Sequence, residues 1–250
     1  MKHWKDNVRF VLVEPGEGGN VGASARALKN MGFGHLRLVN PTLRDADTWL
    51  AHNAEDVLAE APRLGSLKEA VADCALVVGT TRRKGKRRGV FVTLEEGMRR
   101  AFLSARADRV AVVFGRERKG LTNREAEACG LMVTIPTEPA QPSMNLSHAV
   151  AVLAYELGRQ ERVAGPEAEG AAPSKRMATH EELDHLYERL GAVLAMLEFP
   201  LKGSRHPERQ TRRVLKRVLG RAALTKPELN VLHGLLGQME RKFGERENGR

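Results

Sequence analysis

The sequence predicts an α/β protein, a mostly parallel sheet flanked by helices, carrying a small all-helical C-terminal extension. Three observations carry this prediction. Up to about residue 160, short apolar runs rich in β-branched residues alternate with helix-compatible segments. The runs are apolar without a polar alternation, as strands covered by helices on both faces are. Beyond residue 179 the apolar spacing becomes purely helical.

Strands are expected at residues 8–13, 36–39, 75–79, 110–115 and 132–136, and helices near 23–31, 67–73, 94–105 and 123–129. Periodicity does not fix the order of the strands. Residues 1–160 make the first domain in this reading. Residues 161–178 read as a linker, because Gly165-Pro166-Glu167-Ala168-Glu169-Gly170-Ala171-Ala172-Pro173 has no apolar period to bury. Residues 179–250 make the helical extension. There Thr179-His180-Glu181-Glu182 matches a capping box, followed by Leu183, Leu186, Leu190, Val193, Leu194 and Leu197 on one face. A second box, Thr225-Lys226-Pro227-Glu228, precedes Leu229, Leu232, Leu235, Leu236, Met239 and Phe243. Val214, Leu215, Val218 and Leu219 mark a helix between the two. Three helices of this size bury little alone, so they are expected to dock on the first domain or on a second subunit.

Composition narrows the function. Lys+Arg 41 against Asp+Glu 31 gives the 250 residues a formal charge of +10, which points to nucleic acid before an anionic membrane surface or an acidic protein. An acidic-lipid surface is a poor fit, since no amphipathic segment pairs a basic face with Trp or Phe anchors. Aromatics are only 4%, so a surface built mainly on base stacking is not expected. Cys74 and Cys129 form neither a disulfide framework nor a CxxC metal or redox signature, and they read as buried small hydrophobes. The run at 8–13 is too short for a signal segment, and no 18-residue apolar span exists. A soluble, cytoplasmic protein without membrane or metal partners is the expectation.

The stretch Gly16-Glu17-Gly18-Gly19-Asn20-Val21-Gly22 follows the first expected strand. A dinucleotide fingerprint would need glycine where Val21 stands, and an acid near the end of the second strand, where Val39-Asn40-Pro41 stands. A phosphate-cradling Gly-Lys-Ser/Thr is absent as well. A flexible turn before a helix accounts for the glycines, but not for the continuation Asn20-Val21-Gly22-Ala23-Ser24-Ala25-Arg26-Ala27-Leu28.

That continuation resembles motif one of the SpoU (TrmH) class of RNA ribose methyltransferases, in which Asn-x-Gly-x-x-x-Arg opens a helix. Val113-Phe114-Gly115-Arg116-Glu117-Arg118-Lys119-Gly120-Leu121 is similar to its second motif. Ile135-Pro136 with Pro142-Ser143-Met144-Asn145-Leu146-Ser147-His148-Ala149-Val150-Ala151 is similar to its third. All three stand in the family's order across residues 8–160. Leu12-Val13-Glu14 and the added helices resemble the TrmJ subgroup, which methylates the 2′-hydroxyl at position 32 of tRNA anticodon loops. The resemblance implies a SPOUT fold with a deep C-terminal trefoil knot, S-adenosylmethionine held by knot loops, and a homodimer that completes each active site. The cofactor loops match Thr80, Thr81 and Arg82, then Gly115, Glu117 and Gly120, then Ile135, and finally Pro142, Ser143 and Met144.

The chemistry of these residues agrees. Methyl transfer from a sulfonium to an incipient alkoxide removes charge, which favours a closed, dry pocket and needs no metal. Gly115 and Gly120 let backbone approach a cofactor closely. Backbone groups of Ile135 and Met144 suit an adenine edge, Ser143 and Asn145 offer short neutral hydrogen bonds, and Glu117 suits a loop or an ammonium. The family resemblance makes Arg26 the group that activates the hydroxyl. Alone it would read as a helix arginine paired with an acid. Within the motif two roles stand open, a transiently neutral guanidine or a cation that binds phosphate and lowers the hydroxyl pKa, and energetics favours the cation. Arg26, Asn145 and Ser143 are therefore the expected catalytic set.

Asn20, Arg26, Arg83, Lys84, Lys86, Arg87 and Arg88 are the expected RNA contacts. Residues 82–88 hold six cations in seven positions, which in isolation would be a solvated loop. A second basic set, Lys202, Arg205, Arg209, Arg212, Arg213, Lys216, Arg217 and Arg221, would extend the surface toward a large folded RNA. His148 reads as packed or capped rather than catalytic. The expected activity is thus tRNA ribose 2′-O-methylation at a cytidine or uridine. The alternatives are an rRNA ribose methyltransferase and a non-catalytic basic RNA binder of the same fold.

Overall fold

Strand β1 (Val8–Val13) is buried along its whole length, and the first part of the chain is assembled around it. A computed structural model describes residues 3–42, 49–83, 89–165, 176–197, 199, 211, 214–216, 218–219 and 223–248. The chain divides into two compact units, Met1–Ser174 and Lys175–Arg250.

In the first unit, α1 (Gly18–Asn30), β2 (Leu36–Val39), α2 (Glu55–Ala59), β3 (Arg63–Leu64), α3 (Leu67–Val71) and β4 (Leu76–Thr80) follow β1. Then come α4 (Leu94–Ala105), β5 (Val110–Phe114), α5 (Asn123–Ala128), β6 (Leu131–Val133) and α6 (Leu146–Ala164). The sheet order is β3-β2-β1-β5-β4-β6, and every neighbouring pair is parallel. Because a strand's side chains alternate between faces, β1 splits its apolar run between two cores. Val8, Phe10 and Leu12 pack with the apolar faces of α1, α4 and α6. Val11 and Val13 pack with Leu67, Ala70 and Val71 of α3 and Ala126 of α5. Burial on both faces is what so apolar a strand requires, Arg9 being its one polar residue.

The expected strands are all present, with small shifts at their ends. Neither β3 nor α2 is signalled by the sequence. Strand β3 is two residues at the sheet edge, and α2 is a five-residue helix with Val57 as its buried residue. Helix α1 begins at Gly18, not near residue 23. Gly18, Asn20, Val21 and Gly22 are buried in its first turns, so from Gly18 onward the glycine-rich segment is helix and only Gly16 and Glu17 precede it. Helix α6 continues to Ala164, into residues read as linker, because the Trp4 indole packs edge-on against Phe33 and Phe102 and its Nε1 donates to Glu161 at 2.7 Å. The remaining expected linker falls largely on residues 166–175, outside the described residues.

The second unit contains α7 (His180–Met196) and α8 (Lys226–Asn248). The Thr179 box forms as expected, Thr179 Oγ1 accepting from Glu182 N and the Glu182 carboxylate accepting from Thr179 N. At Thr225 the Glu228 carboxylate accepts from both the backbone N–H and the hydroxyl, each at 2.8 Å. Ala178, Leu186, Val193, Leu229 and Leu236 make a small core joined by Leu183, Leu190, Leu219 and Leu232. Leu197, Leu235 and Met239 stay exposed. Residues 214–216 and 218–219 are helical. Among the described residues no helix is long and apolar enough to cross a membrane.

Candidate functional site

A parallel sheet delivers the C-terminal ends of all its strands to one edge, the usual place for a ligand in an open α/β fold. Here the chain leaving β4, β5 and β6 and the N-terminus of α6 border a cleft that is open to solvent. Thr80, Thr81, Arg82 and Arg83 line it after β4, and residues 114–120 after β5. Thr134, Ile135 and Thr137 follow β6, and Pro142, Ser143, Met144, Leu146 and Ala149 complete the wall. All ten residues expected to hold a cofactor, from Thr80 to Met144, lie in this one lining.

The loop after β5 is held by its own backbone and by an arginine clamp. Gly120 N donates to Arg116 O at 2.8 Å, folding the loop back on itself. A Cβ at Gly115 would lie inside the backbone of Gly120 and Leu121, and Gly120 itself has φ +63°, where a side chain is strained. Glycine is thus needed for the loop's own return, a requirement apart from close approach to a ligand. Arg116 Nε donates to Glu14 Oε2 at 2.6 Å, and its Nη2 donates to Glu14 Oε1. The same guanidinium donates to both Glu125 oxygens at 3.0 and 3.1 Å. These hydrogen bonds raise the Arg116 pKa further, securing its charge. Burial disfavours the charged Glu125, but Arg116 and the Thr122 N–H outweigh it and hold that carboxyl below its ordinary range. Glu125 also closes the capping box of α5 with Thr122, so one arginine ties β1, the loop and α5 together.

The three motifs meet in a second network. Asn145 Nδ2 donates to Asn20 Oδ1 at 2.8 Å, and Asn20 Nδ2 donates to Glu117 Oε1 at 3.2 Å. Glu117 Oε2 accepts from Gly16 N at 3.2 Å. Asn145 caps α6, its Oδ1 accepting from Ser147 N at 2.9 Å and Ser147 Oγ at 2.7 Å. Two of the expected site residues belong to this network. Asn20, expected to touch RNA, is buried and has both ends of its amide engaged inside the protein. Asn145, expected among the catalytic groups, commits its side chain to the helix cap and to Asn20. Arg26 is exposed on α1 and does not line the cleft. It has no hydrogen bond or ion pair within the described residues, so the acid-paired helix arginine is not what the structure contains.

The profile of the SpoU rRNA Methylase family matches residues 7–155. The chain belongs to the SpoU methylase family. A Yersinia pestis (strain Pestoides F) protein, "tRNA (cytidine/uridine-2′-O-)-methyltransferase TrmJ", is 38% identical over 97% of this chain and 96% of its own. The protein of the same description from Cronobacter sakazakii is 38% identical over 96% of this chain and 98% of its own. Among solved structures, TrmJ from Z. mobilis ZM4 superposes with a TM-score of 0.77 at 30% identity, covering 93% of this chain and 98% of that one. The SpoU fold class expected from the motifs, a parallel sheet flanked by helices, is what the chain adopts.

Several lining residues are not singled out by the sequence, although Arg116, Arg118 and Lys119 fall within the expected cofactor loop 115–120. Phe114, Arg116, Arg118, Lys119, Thr134, Thr137, Leu146 and Ala149 all line the cleft. Most sit inside or beside the quoted motifs, where adjacency was the available signal. Thr134 and Thr137 carried none beyond flanking Ile135-Pro136. Arg83 lines the cleft, whereas Lys84, Lys86, Arg87 and Arg88 lie outside the described residues. Of the second basic set, Lys216 is described. It is engaged within its unit, donating to Asp184 Oδ1 at 2.9 Å and lying over the Tyr187 ring. His148 is exposed. Cys74 and Cys129 are buried and free, as expected, and burial pushes each thiol up to about 12.

Proposed function

We propose that this SpoU chain methylates the ribose 2′-hydroxyl of tRNA from S-adenosylmethionine, at a cytidine or uridine of the anticodon loop, position 32 in the TrmJ subgroup. The single observation that carries the reading is the meeting of three motifs far apart in sequence, the second and third lining one cleft and the first hydrogen-bonded to both through Asn20. The cleft suits the donor. Its charged lining comes from the loops after β4 and β5, and its neutral lining from the loop after β6 and the start of α6. That division matches a ligand with a zwitterionic amino acid at one end and an uncharged nucleoside at the other. When bound, the donor supplies a methyl group on a positively charged sulfur.

The chain's own residues do the rest. Glu117, Arg82 and Arg118 offer charges to the amino acid end, while Ser143 and the backbone near Ile135 and Met144 offer neutral hydrogen bonds. Asn20, Glu117 and Asn145 brace these segments against each other. Arg26 binds the RNA phosphate as a cation and lowers the pKa of the attacked hydroxyl, an electrostatic role that suits an always-charged group. Because Arg26 stands outside its own chain's cleft, a homodimer in which each α1 serves the partner's cleft completes the site. The knotted threading of the cofactor loops, the phosphate contacts of the basic run at 82–88 and a cytoplasmic location belong to the same reading.

The test is nucleoside analysis of tRNA and rRNA after incubation with purified protein and methyl-labelled donor. Label in 2′-O-methylcytidine or 2′-O-methyluridine of tRNA is expected; label only in rRNA would defeat the tRNA assignment. Arg26→Ala is expected to abolish transfer while tRNA retention stays largely intact.

A further inference from the structure

Thr134 follows the last residue of β6 and lines the cleft. Its Oγ1 is buried and has no hydrogen-bond partner, and it is the one buried side-chain polar atom among the described residues in that state. Neighbouring hydroxyls are used within the protein. Thr80 Oγ1 donates to Val113 O at 3.1 Å, and Thr81 Oγ1 accepts from Arg83 N at 3.1 Å. Buried polar groups in native proteins are nearly always paired, and an exception on a residue that lines a binding cleft points to a partner that arrives when a ligand packs there.

We infer that the Thr134 hydroxyl is a specificity-determining contact for the nucleoside end of the methyl donor. This rests on the methyl-donor reading above and adds a residue to it. The placement follows from the lining around it. Ile135 follows Thr134 in the chain, and Ile135, Met144, Leu146 and Ala149 give the cleft its apolar lining, which suits an adenosine better than an amino acid zwitterion. A hydroxyl both donates and accepts, so it can serve a purine nitrogen, an exocyclic amine or a ribose hydroxyl. Valine has threonine's shape without its polar atom, and in the free protein it would relieve the orphan.

The experiment measures binding by calorimetry for wild type, Thr134→Val and Thr134→Ser. The probes are S-adenosylmethionine, S-adenosylhomocysteine and 5′-methylthioadenosine, which keeps the nucleoside and lacks the amino acid. Thr134→Val is expected to weaken all three by about tenfold, the loss of one buried hydrogen bond. Thr134→Ser is expected to stay within about threefold of wild type. The melting temperature of ligand-free Thr134→Val should equal or exceed that of wild type, an outcome a merely structural threonine would not give. Unchanged affinity in Thr134→Val, or a loss confined to the two probes bearing the amino acid, overturns the inference while leaving the methyl-donor reading intact. If wild type itself takes up none of the three, that reading falls and Thr134 falls with it.

Discussion

Single residues at the cleft are constrained by geometry more than by their own chemistry. Gly115 and Gly120 sit in one loop but for different reasons, so their substitutions should differ. Alanine at 115 puts a methyl group into the backbone of Gly120 and Leu121, and nothing flexible is there to yield. Alanine at 120 needs only a left-handed residue at φ +63°, which costs about 1 kcal/mol. Gly115→Ala is therefore expected to lose more than tenfold in donor affinity and about 1–3 kcal/mol of stability, the range for overpacking. Gly120→Ala should lose about 1 kcal/mol and bind within severalfold of wild type. Thermal melts and calorimetry on the two variants check the order, and a milder Gly115→Ala would contradict it. The cysteines give a second expectation at this scale. Burial holds Cys74 and Cys129 in the thiol form with pKa values near 12. A thiol reagent at pH 8 should leave both unmodified in native protein and label both once denaturant is added; prompt labelling of either in the native state would show that its site opens.

At the scale of elements, the two edges of the sheet divide the work. The cleft occupies the edge where β4, β5 and β6 end. The opposite edge carries an ion cluster in which Asp73, just before β4, accepts from Arg37 of β2 at 2.7 and 2.8 Å and from Arg109, just before β5, at 2.9 Å. Burial opposes ionisation of Asp73, but the hydrogen bonds and charge of Arg37, with the charge of Arg109, prevail and hold its carboxyl well below the usual carboxylate range. A depressed folded pKa means the stabilisation is present at pH values above the unfolded pKa near 3.9. It fades as pH falls through the folded value. Asp73→Asn is expected to lose about 1–3 kcal/mol at pH 7 with donor affinity unchanged. Its deficit should shrink only below about pH 4. Equilibrium unfolding at several pH values checks this, and a loss of donor binding would refute the separation of the two edges. Cluster and cleft were unequally legible in sequence. Apolar runs announced β1, β2, β4, β5 and β6 because each is buried on both faces, and motif order announced the cleft because its residues fall at strand ends. Strand β3 was hidden because two residues carry no period. The Arg116 clamp was hidden because Glu14 lies 102 positions away and only the fold brings them together. Asn145 was legible as a polar group near a ligand, but its commitment to the α6 cap depends on where that helix starts.

For the whole molecule, the decisive feature is that Arg26 lies outside the cleft lined by the other motifs of its own chain. A monomer so built would hold the proposed donor without its proposed hydroxyl-activating group, whereas a two-fold pair in which α1 of each copy reaches the other's cleft would have two complete sites. Mixing two inactive variants separates these arrangements. Arg26→Ala leaves the cleft intact, and Gly115→Ala is expected to disable the cleft while leaving Arg26 in place. If Arg26 serves the partner, a mixed dimer has one whole site: the cleft of the Arg26→Ala subunit, completed by Arg26 of the Gly115→Ala subunit. The other site lacks both. After co-expression at equal levels half of the dimers are mixed, so methyl incorporation into tRNA should recover to about a quarter of wild type. If Arg26 serves its own chain, every subunit in the mixture carries one defect and no site is whole. Activity no higher than the two variants measured separately, despite mixed dimers verified by differential tagging, would assign each site to a single chain.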